Sequence, residues 1–237
     1  MKLKIDIFTD YVCQFCYIGK REIENAIENT GMQEMVDVHY HSYQLTPDAP
    51  TEATTLFKPF AYAHFGRPKD QIDAMLDGNV ERAKGLGLKY DFDGMFYTNT
   101  LMAHRVSKYA LEMGKDKAFN ERLFYAHFTE NKFISDAETL GDLGAEVGLD
   151  RDEIIRVAED NNAYLKDVQD DINYANQIGV RGVPFYVFND QYAISGAQPN
   201  EVFVNLLEQL KTELNLKEPL KVVGDADDVC GPDGCLI

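Results

Sequence analysis

Leu3-Lys4-Ile5-Asp6-Ile7-Phe8-Thr9-Asp10-Tyr11-Val12-Cys13-Gln14-Phe15-Cys16-Tyr17-Ile18-Gly19 is the stretch on which the fold turns. Its first seven residues alternate apolar and polar side chains, the period of a β-strand. A C-x-x-C pair follows at Cys13 and Cys16. A polar helical pattern then runs to about Asn29, with Gly31 placed to end it. Met35 to Leu45 is rich in β-branched and aromatic residues and predicts a second strand. Strands joined through a helix pair in parallel, so the chain opens with a βαβ unit whose cysteines sit at the strand-to-helix junction.

Further along, the character changes. From residue 46 to about 161 apolar residues recur at helical spacing, as in Ile72, Met75, Leu76 and Val80, or Leu101, Met102, Val106 and Ala110. Asp150 reads as the N-cap of a later helix, and no convincing strand interrupts this stretch. A helix over about 163–178 ends at Gly179. Gly182-Val183-Pro184-Phe185-Tyr186-Val187-Phe188 then predicts a strand with a proline at its start, where a missing N–H is tolerated. Asn189-Asp190 turns the chain, Gln191–Ser195 makes the partner strand, and Gln198–Leu214 a last helix. The order β-α-β, helical insert, α-β-β-α is an α/β, thioredoxin-like fold with a large all-helical insertion. The expected division assigns residues 1–45 and 162–214 to the thioredoxin-like domain and 46–161 to the helical insertion domain. Residues 215–237, rich in Asp, Gly and Pro, are expected to form a flexible C-terminal tail.

Composition narrows the function. The 237 residues are 45% hydrophobic, with 14 Phe and 13 Tyr available for a core. Lys and Arg number 23 against 40 Asp and Glu, a formal charge of −17, which repels phosphate backbones and anionic lipid. Neither nucleic acid nor membrane is an expected partner. No apolar run approaches the ~18 residues of a membrane span, and the alternating N-terminus lacks the apolar core of a secretory signal. A cytoplasmic location is expected; the oligomeric state is left open.

The four cysteines form two pairs, Cys13/Cys16 and Cys230/Cys235. Structural disulfides are rare in a reducing cytosol, so close pairs point to redox catalysis, redox sensing or metal binding. The thiolate is the nucleophile, and the N–H groups at a helix N-terminus favour an anion there. Cys13 occupies that position and is expected to attack; Cys16, one turn deeper, is expected to resolve the mixed disulfide. Gln14 and Phe15 between them offer no cation to hold the thiolate. The same spacing serves zinc, which needs two further ligands, with His39 or His41 as nominees. The flanking strand and helix and the Val183-Pro184 segment favour redox exchange, which requires neither metal nor organic cofactor.

Cys230-Gly231-Pro232-Asp233-Gly234-Cys235 suits a tight turn that brings its flanking thiols within disulfide range. A flexible 17-residue connection from Glu213 has a reach of roughly 25 Å. The tail pair is therefore a candidate auxiliary relay to Cys13 and Cys16, against the alternatives of an exposed thiol pair or a soft-metal site.

Four blocks together carry a resemblance: Asp10-Tyr11-Val12-Cys13-Gln14-Phe15-Cys16-Tyr17-Ile18-Gly19, Asn99-Thr100-Leu101-Met102-Ala103-His104-Arg105, Gly182-Val183-Pro184-Phe185 and Ser195-Gly196-Ala197-Gln198-Pro199. In that order, and over nearly the whole chain, they resemble the DsbA-like oxidoreductases of the FrnE-like branch. The resemblance implies a thioredoxin fold with a helical insertion, disulfide oxidoreductase activity, and a cis Val183-Pro184 bond facing the cysteines. Exposed Val183 backbone groups would then pair with an extended substrate as an added strand does. The departure is Gln14-Phe15 where the family commonly has Pro-Trp, which leaves the substrate surface open.

The reading is thus a thiol–disulfide oxidoreductase acting on protein or small-molecule disulfides. Cys13, Cys16 and Pro184 are the catalytic candidates; Val183, Gln14 and Phe15 are expected to meet substrate. The alternatives are a soft-metal-binding protein and a glutathione-dependent isomerase or transferase. Asn99 or Thr100 is expected to cap a helix and His104 to be packed and hydrogen-bonded. His39, His41, His64 and His127 show no ligand spacing. Phe57, Phe60, Tyr62 and Phe65 are expected to fill a core or interface more than a groove.

Overall fold

The computed structural model describes residues 2–216. β1 (Leu3–Thr9), α1 (Gln14–Asn29) and β2 (Val36–Ser42) form the expected βαβ unit. β1 and β2 are parallel, with Leu3 opposite Val36 and Thr9 opposite Ser42. Gly31 ends α1 with a φ of 63°. The Met32 N–H bonds the Ile27 carbonyl and the Gly31 N–H that of Glu28, a closing pair that needs a left-handed residue between them. β2 is shorter than the expected strand because the chain peels away at Asp10, whose Oδ2 accepts the Leu45 N–H at 2.7 Å.

Six helices follow: α2 (Phe57–His64), α3 (Lys69–Gly85), α4 (Leu101–Glu112), α5 (Asp116–Phe128), α6 (Ala137–Glu146) and α7 (Arg151–Glu159). Asp150 caps α7 by accepting the Glu153 N–H, as expected. One extended pairing interrupts the helical stretch: Leu56 bridges Phe96, flanked by Phe57 N–H to Met95 carbonyl and Tyr97 N–H to Thr55 carbonyl. Aromatic residues hid it, since a single bridge has no periodicity. The chain closes with α8 (Leu165–Gln177), β3 (Phe185–Phe188), β4 (Tyr192–Ser195) and α9 (Asn200–Glu213). β3 begins after Pro184 and is antiparallel to both β1 and β4, giving the sheet order β2-β1-β3-β4. Among the described residues no helix is long and apolar enough to cross a membrane.

The sheet is covered on both faces. Leu3, Ile5 and Ile7 of β1 pack with Ile23 and Ala26 of α1 and with Phe203 and Leu207 of α9. On the opposite face Phe8 meets Ala175 of α8 and Val187. A strand buried on both sides must bury its polar residues too, so Asp6 lies at 3% exposure, held by Lys4 and His41. The helical insertion has its own core, and that core includes Tyr11, Cys13, Cys16 and Tyr17 from the first unit. Tyr17 stacks on Phe124 with centroids 5.1 Å apart, and Tyr11 Oη donates to Asn120 Oδ1 at 2.5 Å. Arg105 is buried at the end of α7, donating to the carbonyls of Val157, Ala158, Asp160 and Ala163. One guanidinium thus satisfies two carbonyls of the last turn of α7, the C-cap carbonyl of Asp160 and that of Ala163 in the turn beyond.

Candidate functional site

Cys13 is the N-cap residue of α1, with φ −86° and ψ 105°. Its N–H bonds the Asp10 carbonyl at 3.0 Å, and its own carbonyl accepts the Cys16 N–H at 2.9 Å. The turn is fixed from below by Asp10, fully buried, whose carboxylate takes the Leu45 N–H and meets His104 Nε2 at 3.3 Å. His104 is therefore packed and hydrogen-bonded, as expected. Asn99 Oδ1 accepts the Leu101 N–H at the start of α4, so the cap lies with Asn99 and not with Thr100, whose side chain caps nothing.

Both cysteines are free thiols, at 6% and 2% exposure. Burial, reinforced by the adjacent Cys13 sulfur, pushes the Cys16 thiol well above its ordinary range. The more open sulfur lines a cavity and the deeper one is kept protonated. Cys13 Sγ donates to the Val183 carbonyl at 3.4 Å, so a segment 170 residues away faces the pair. The Val183-Pro184 bond is cis, and the Pro184 carbonyl is tied to the Gly196 N–H at 2.8 Å. Gly19 allows this approach: a Cβ there would lie 3.0 Å from Pro184 Cγ and 2.2 Å from Tyr186 Oη.

The two residues between the cysteines differ in setting. The Gln14 carbonyl accepts from Tyr90 Oη at 2.6 Å, which pins the first turn of α1 to the insertion. Phe15 is 37% exposed, a large apolar side chain at the mouth of a cavity of about 250 Å³. That cavity runs from Cys13 and Phe15 into the insertion, where Phe57, Phe60 and Phe65 meet Phe96 and Tyr97. Phe60 lies flat on Tyr97 with centroids 3.6 Å apart. Phe60 and Phe65 thus line a groove beside the cysteines rather than filling a core or interface, while Phe57 lines it and also packs against the insertion's core as expected. Tyr62 is not among the lining residues; its Oη donates to Asp73. The cause is the Leu56–Phe96 bridge, which brings two aromatic segments together at the edge of the insertion.

His127, in the last turn of α5, lines the same cavity and carried no signal in the sequence. Burial lowers its pKa to about 4. His41 is engaged elsewhere, between Asp6 on β1 and Asp171 on α8, and His39 pairs with Asp37. His64 caps its own helix by bonding the Phe60 carbonyl. Among the described residues no three His, Cys, Asp or Glu side chains are gathered to hold a metal. Cys230 and Cys235 lie outside the described residues.

A family model described as a DSBA-like thioredoxin domain matches residues 4–208. A crystal structure from Streptomyces coelicolor, described as a probable DsbA oxidoreductase, is similar at 31% identity with a TM-score of 0.84, covering 99% of each chain. The uncharacterized protein YwbO of Bacillus subtilis is 26% identical over 214 residues, 86% of this chain and 94% of its own. The cytosolic disulfide reductase DsbM of Pseudomonas aeruginosa, solved with glutathione, shares the fold at a TM-score of 0.62 and 17% identity, covering 90% of this chain and all of its own (100%).

Proposed function

The chain belongs to the DSBA-like thioredoxin domain family, and from that premise we propose that it exchanges disulfides through Cys13 as nucleophile and Cys16 as resolving thiol. The observation that carries this is the placement of Cys13 Sγ: at the N-cap of α1, 3.4 Å from the carbonyl preceding Pro184, with a buried partner thiol one turn below. In the reducing direction the Cys13 thiolate attacks one sulfur of a substrate disulfide. The S–S bond breaks, the departing sulfur takes a proton, and a mixed disulfide remains on Cys13. Cys16 then loses its proton and attacks Cys13 Sγ, releasing the second substrate thiol. Two electrons pass to the substrate and a Cys13–Cys16 disulfide is left; oxidation of a dithiol runs the same steps backwards.

Val183 and Pro184 present their backbone to an extended substrate in this reading, and Phe15 and Gln14 flank the sulfur under attack. Cys230 and Cys235 are proposed to exchange with the site as an auxiliary pair. The setting proposed is the cytoplasm, the compartment named for the Pseudomonas neighbour. The test is the rate of insulin reduction by dithiothreitol. Wild type is expected to accelerate it, and Cys13→Ser to fall back to the rate without protein. Cys16→Ser is expected to accumulate a mixed disulfide detectable by mass spectrometry. Acceleration that survives Cys13→Ser defeats the assignment.

A further inference from the structure

Disulfide exchange through Cys13 and Cys16 needs an agent for one step: Cys16 must give up its proton as it attacks Cys13. Its side chain is 2% exposed, and burial with the adjacent Cys13 sulfur holds the thiol well above its ordinary range. Free thiolate is therefore scarce at neutral pH, and a group that takes the proton during the attack accelerates the step. Three groups meet the Cys16 sulfur: the Cys13 sulfur, the Asp10 N–H and the Thr9 hydroxyl. In the mixed disulfide Cys13 Sγ is bonded to substrate and is the atom under attack, so it cannot serve as the base. An amide N–H donates and takes up no proton. A hydroxyl both accepts and donates, so Thr9 alone of the three can receive the S–H hydrogen and pass its own onward.

The onward path leads away from the substrate. Thr9 ends β1 at 3% exposure, and its carbonyl is taken by the Tyr43 N–H, which leaves the hydroxyl as its free polar group. Thr9 also borders a second cavity, which shares no lining residue with the aromatic one beside Cys13. Its volume of about 20 Å³ suits a single water, for which ~10–15 Å³ is enough. Ser42, Ser107 and Asn120 stand around it and supply the polar partners that a buried water requires. Leu111 of α4, 47% exposed, and Asp116, the first residue of α5, mark its outer end.

The ionisable groups facing this route are Cys13, Tyr90 and Tyr186 about the sulfur, and Tyr11, Tyr40, His41, His104, Lys108 and Asp116 about the cavity. Burial keeps the four phenols at Tyr11, Tyr40, Tyr90 and Tyr186 protonated. His41 is engaged by Asp6 and Asp171, Lys108 by Asp171, and His104 by Asp10. Asp116 is the carboxylate at the outer end. The walls beside Cys13, by contrast, include no Asp, Glu, Lys or Arg.

We propose that the Thr9 hydroxyl relays the proton of Cys16 to a water in this polar cavity, so that the resolving thiol is deprotonated from behind while substrate covers the mouth. The relay rests on the exchange reaction proposed above. The Cys16 S–H hydrogen passes to Thr9 Oγ1 and the Thr9 hydroxyl hydrogen to the cavity water, from which one proton leaves at the outer end. The electron pair on the Cys16 sulfur forms the bond to Cys13 Sγ. The bond from Cys13 to the substrate sulfur breaks with its pair on the substrate, and the departing thiolate takes a proton from solvent at the mouth. Oxidation of a dithiol runs the route in reverse and re-protonates Cys16.

The test is stopped-flow reaction with 5,5′-dithiobis(2-nitrobenzoate) of the full-length chain, carrying Cys230→Ser and Cys235→Ser so that only Cys13 and Cys16 report. Attack by Cys13 releases one nitrothiobenzoate at a rate proportional to the reagent; attack by Cys16 releases the second at a rate independent of it. Thr9→Val, which keeps the shape and loses the hydroxyl, is expected to slow the second release about tenfold or more at pH 7 and to change the first by less than about twofold. At pH 9 the gap should narrow, because hydroxide then takes the proton without a relay. Thr9→Ser, which keeps the hydroxyl, should hold the second release within about threefold of the parent chain. A Thr9 that merely supports the fold would slow both releases, and by the same factor at both pH values. In the parent chain, with Thr9 in place, the second release should be about twofold slower in D2O, because a proton moves in that step. An unchanged second release in Thr9→Val, equal losses in Thr9→Val and Thr9→Ser, or a parent second release no slower in D2O overturns the relay and leaves the exchange reading standing. Absence of the second release in the parent chain defeats the exchange reading itself, and the relay with it.

Discussion

A hydrogen atom at position 19 sets how closely α1 approaches Pro184. Replacing it with a methyl group places a carbon 2.2 Å from Tyr186 Oη, and Tyr186 is itself buried in the central sheet. Something must shift, and overpacking of this kind costs about 1–3 kcal/mol. The shift falls on β3 just beyond Val183, so the carbonyl facing Cys13 moves as well. Gly19→Ala is expected to lower the urea midpoint and to reduce the Cys13-dependent insulin rate by tenfold or more. Gly78→Ala is the control: it lies within α3 with nothing within 4 Å of its added carbon, and should gain roughly 0.5–1 kcal/mol from helix propensity with activity unchanged. A Gly19→Ala protein matching wild type in both readouts would show that the close approach does not matter.

Between elements, a buried electrostatic link joins the sheet to two helices. His41 on β2 lies 3.2 Å from Asp6 on β1 and 2.8 Å from Asp171 on α8, and Lys108 on α4 closes on the same Asp171. The rings of Phe8 and Tyr174 cover it. Burial works against the charged imidazole, but the two carboxylates outweigh it and raise the His41 pKa. Burial likewise opposes the carboxylates, and their hydrogen bonds to His41, with Lys4 or Lys108, hold both Asp6 and Asp171 low. A raised histidine pKa means that the folded state holds the proton more tightly. Its contribution is complete below the unfolded value near 6.5 and is lost as pH rises through the folded value. The lowered carboxylates contribute above the unfolded value of about 3.9 and lose that contribution as pH falls through their folded values. The stability advantage of wild type over His41→Gln should therefore shrink between pH 6 and pH 9, since the buried neutral His127, which favours folding as pH rises, acts alike in both. Parallel urea midpoints for the two proteins across the interval would show that His41 is not the group responsible.

At the scale of the whole molecule, the helical insertion and the cysteine turn are one packing unit. Tyr11, Cys16 and Tyr17 lie in the insertion's core, and Tyr90 of the insertion holds the Gln14 carbonyl. About two thirds of the residues lining the cavity come from that insertion, and the rest are Val12, Cys13, Gln14, Phe15 and Leu45 of the first unit. The cysteine turn and the cavity beside it thus pack as one unit, while α1 and α9 pack together against the sheet in a separate core. The relay proposed for the tail belongs to this scale as well, because a tether raises local thiol concentration without any new contact. Cys230→Ser with Cys235→Ser is expected to slow re-oxidation or re-reduction of the Cys13–Cys16 pair several-fold, measured by quenched-flow thiol trapping. Wild-type exchange rates in the double variant remove the relay.

The order of strands and helices, the parallel first unit, the Gly31 stop and the pairing of Cys13 with Cys16 were legible because each rests on local rules. Strand alternation, helical spacing, turn chemistry and a three-residue offset on a helix all act within a few neighbours along the chain. The cis Val183-Pro184 bond came from a resemblance and not from spacing. The burial of Asp6, the role of Arg105, the Leu56–Phe96 bridge and the cavity with His127 had no local signature. They depend on which distant segments are brought together: β1 is buried on both faces only once α8 covers the second, and His127 lies near the cavity only because α5 ends near Phe57 and Cys13. Local propensity chose the elements, and the packing of residues far apart in the chain decided which buried polar groups were paired and which were left without a partner.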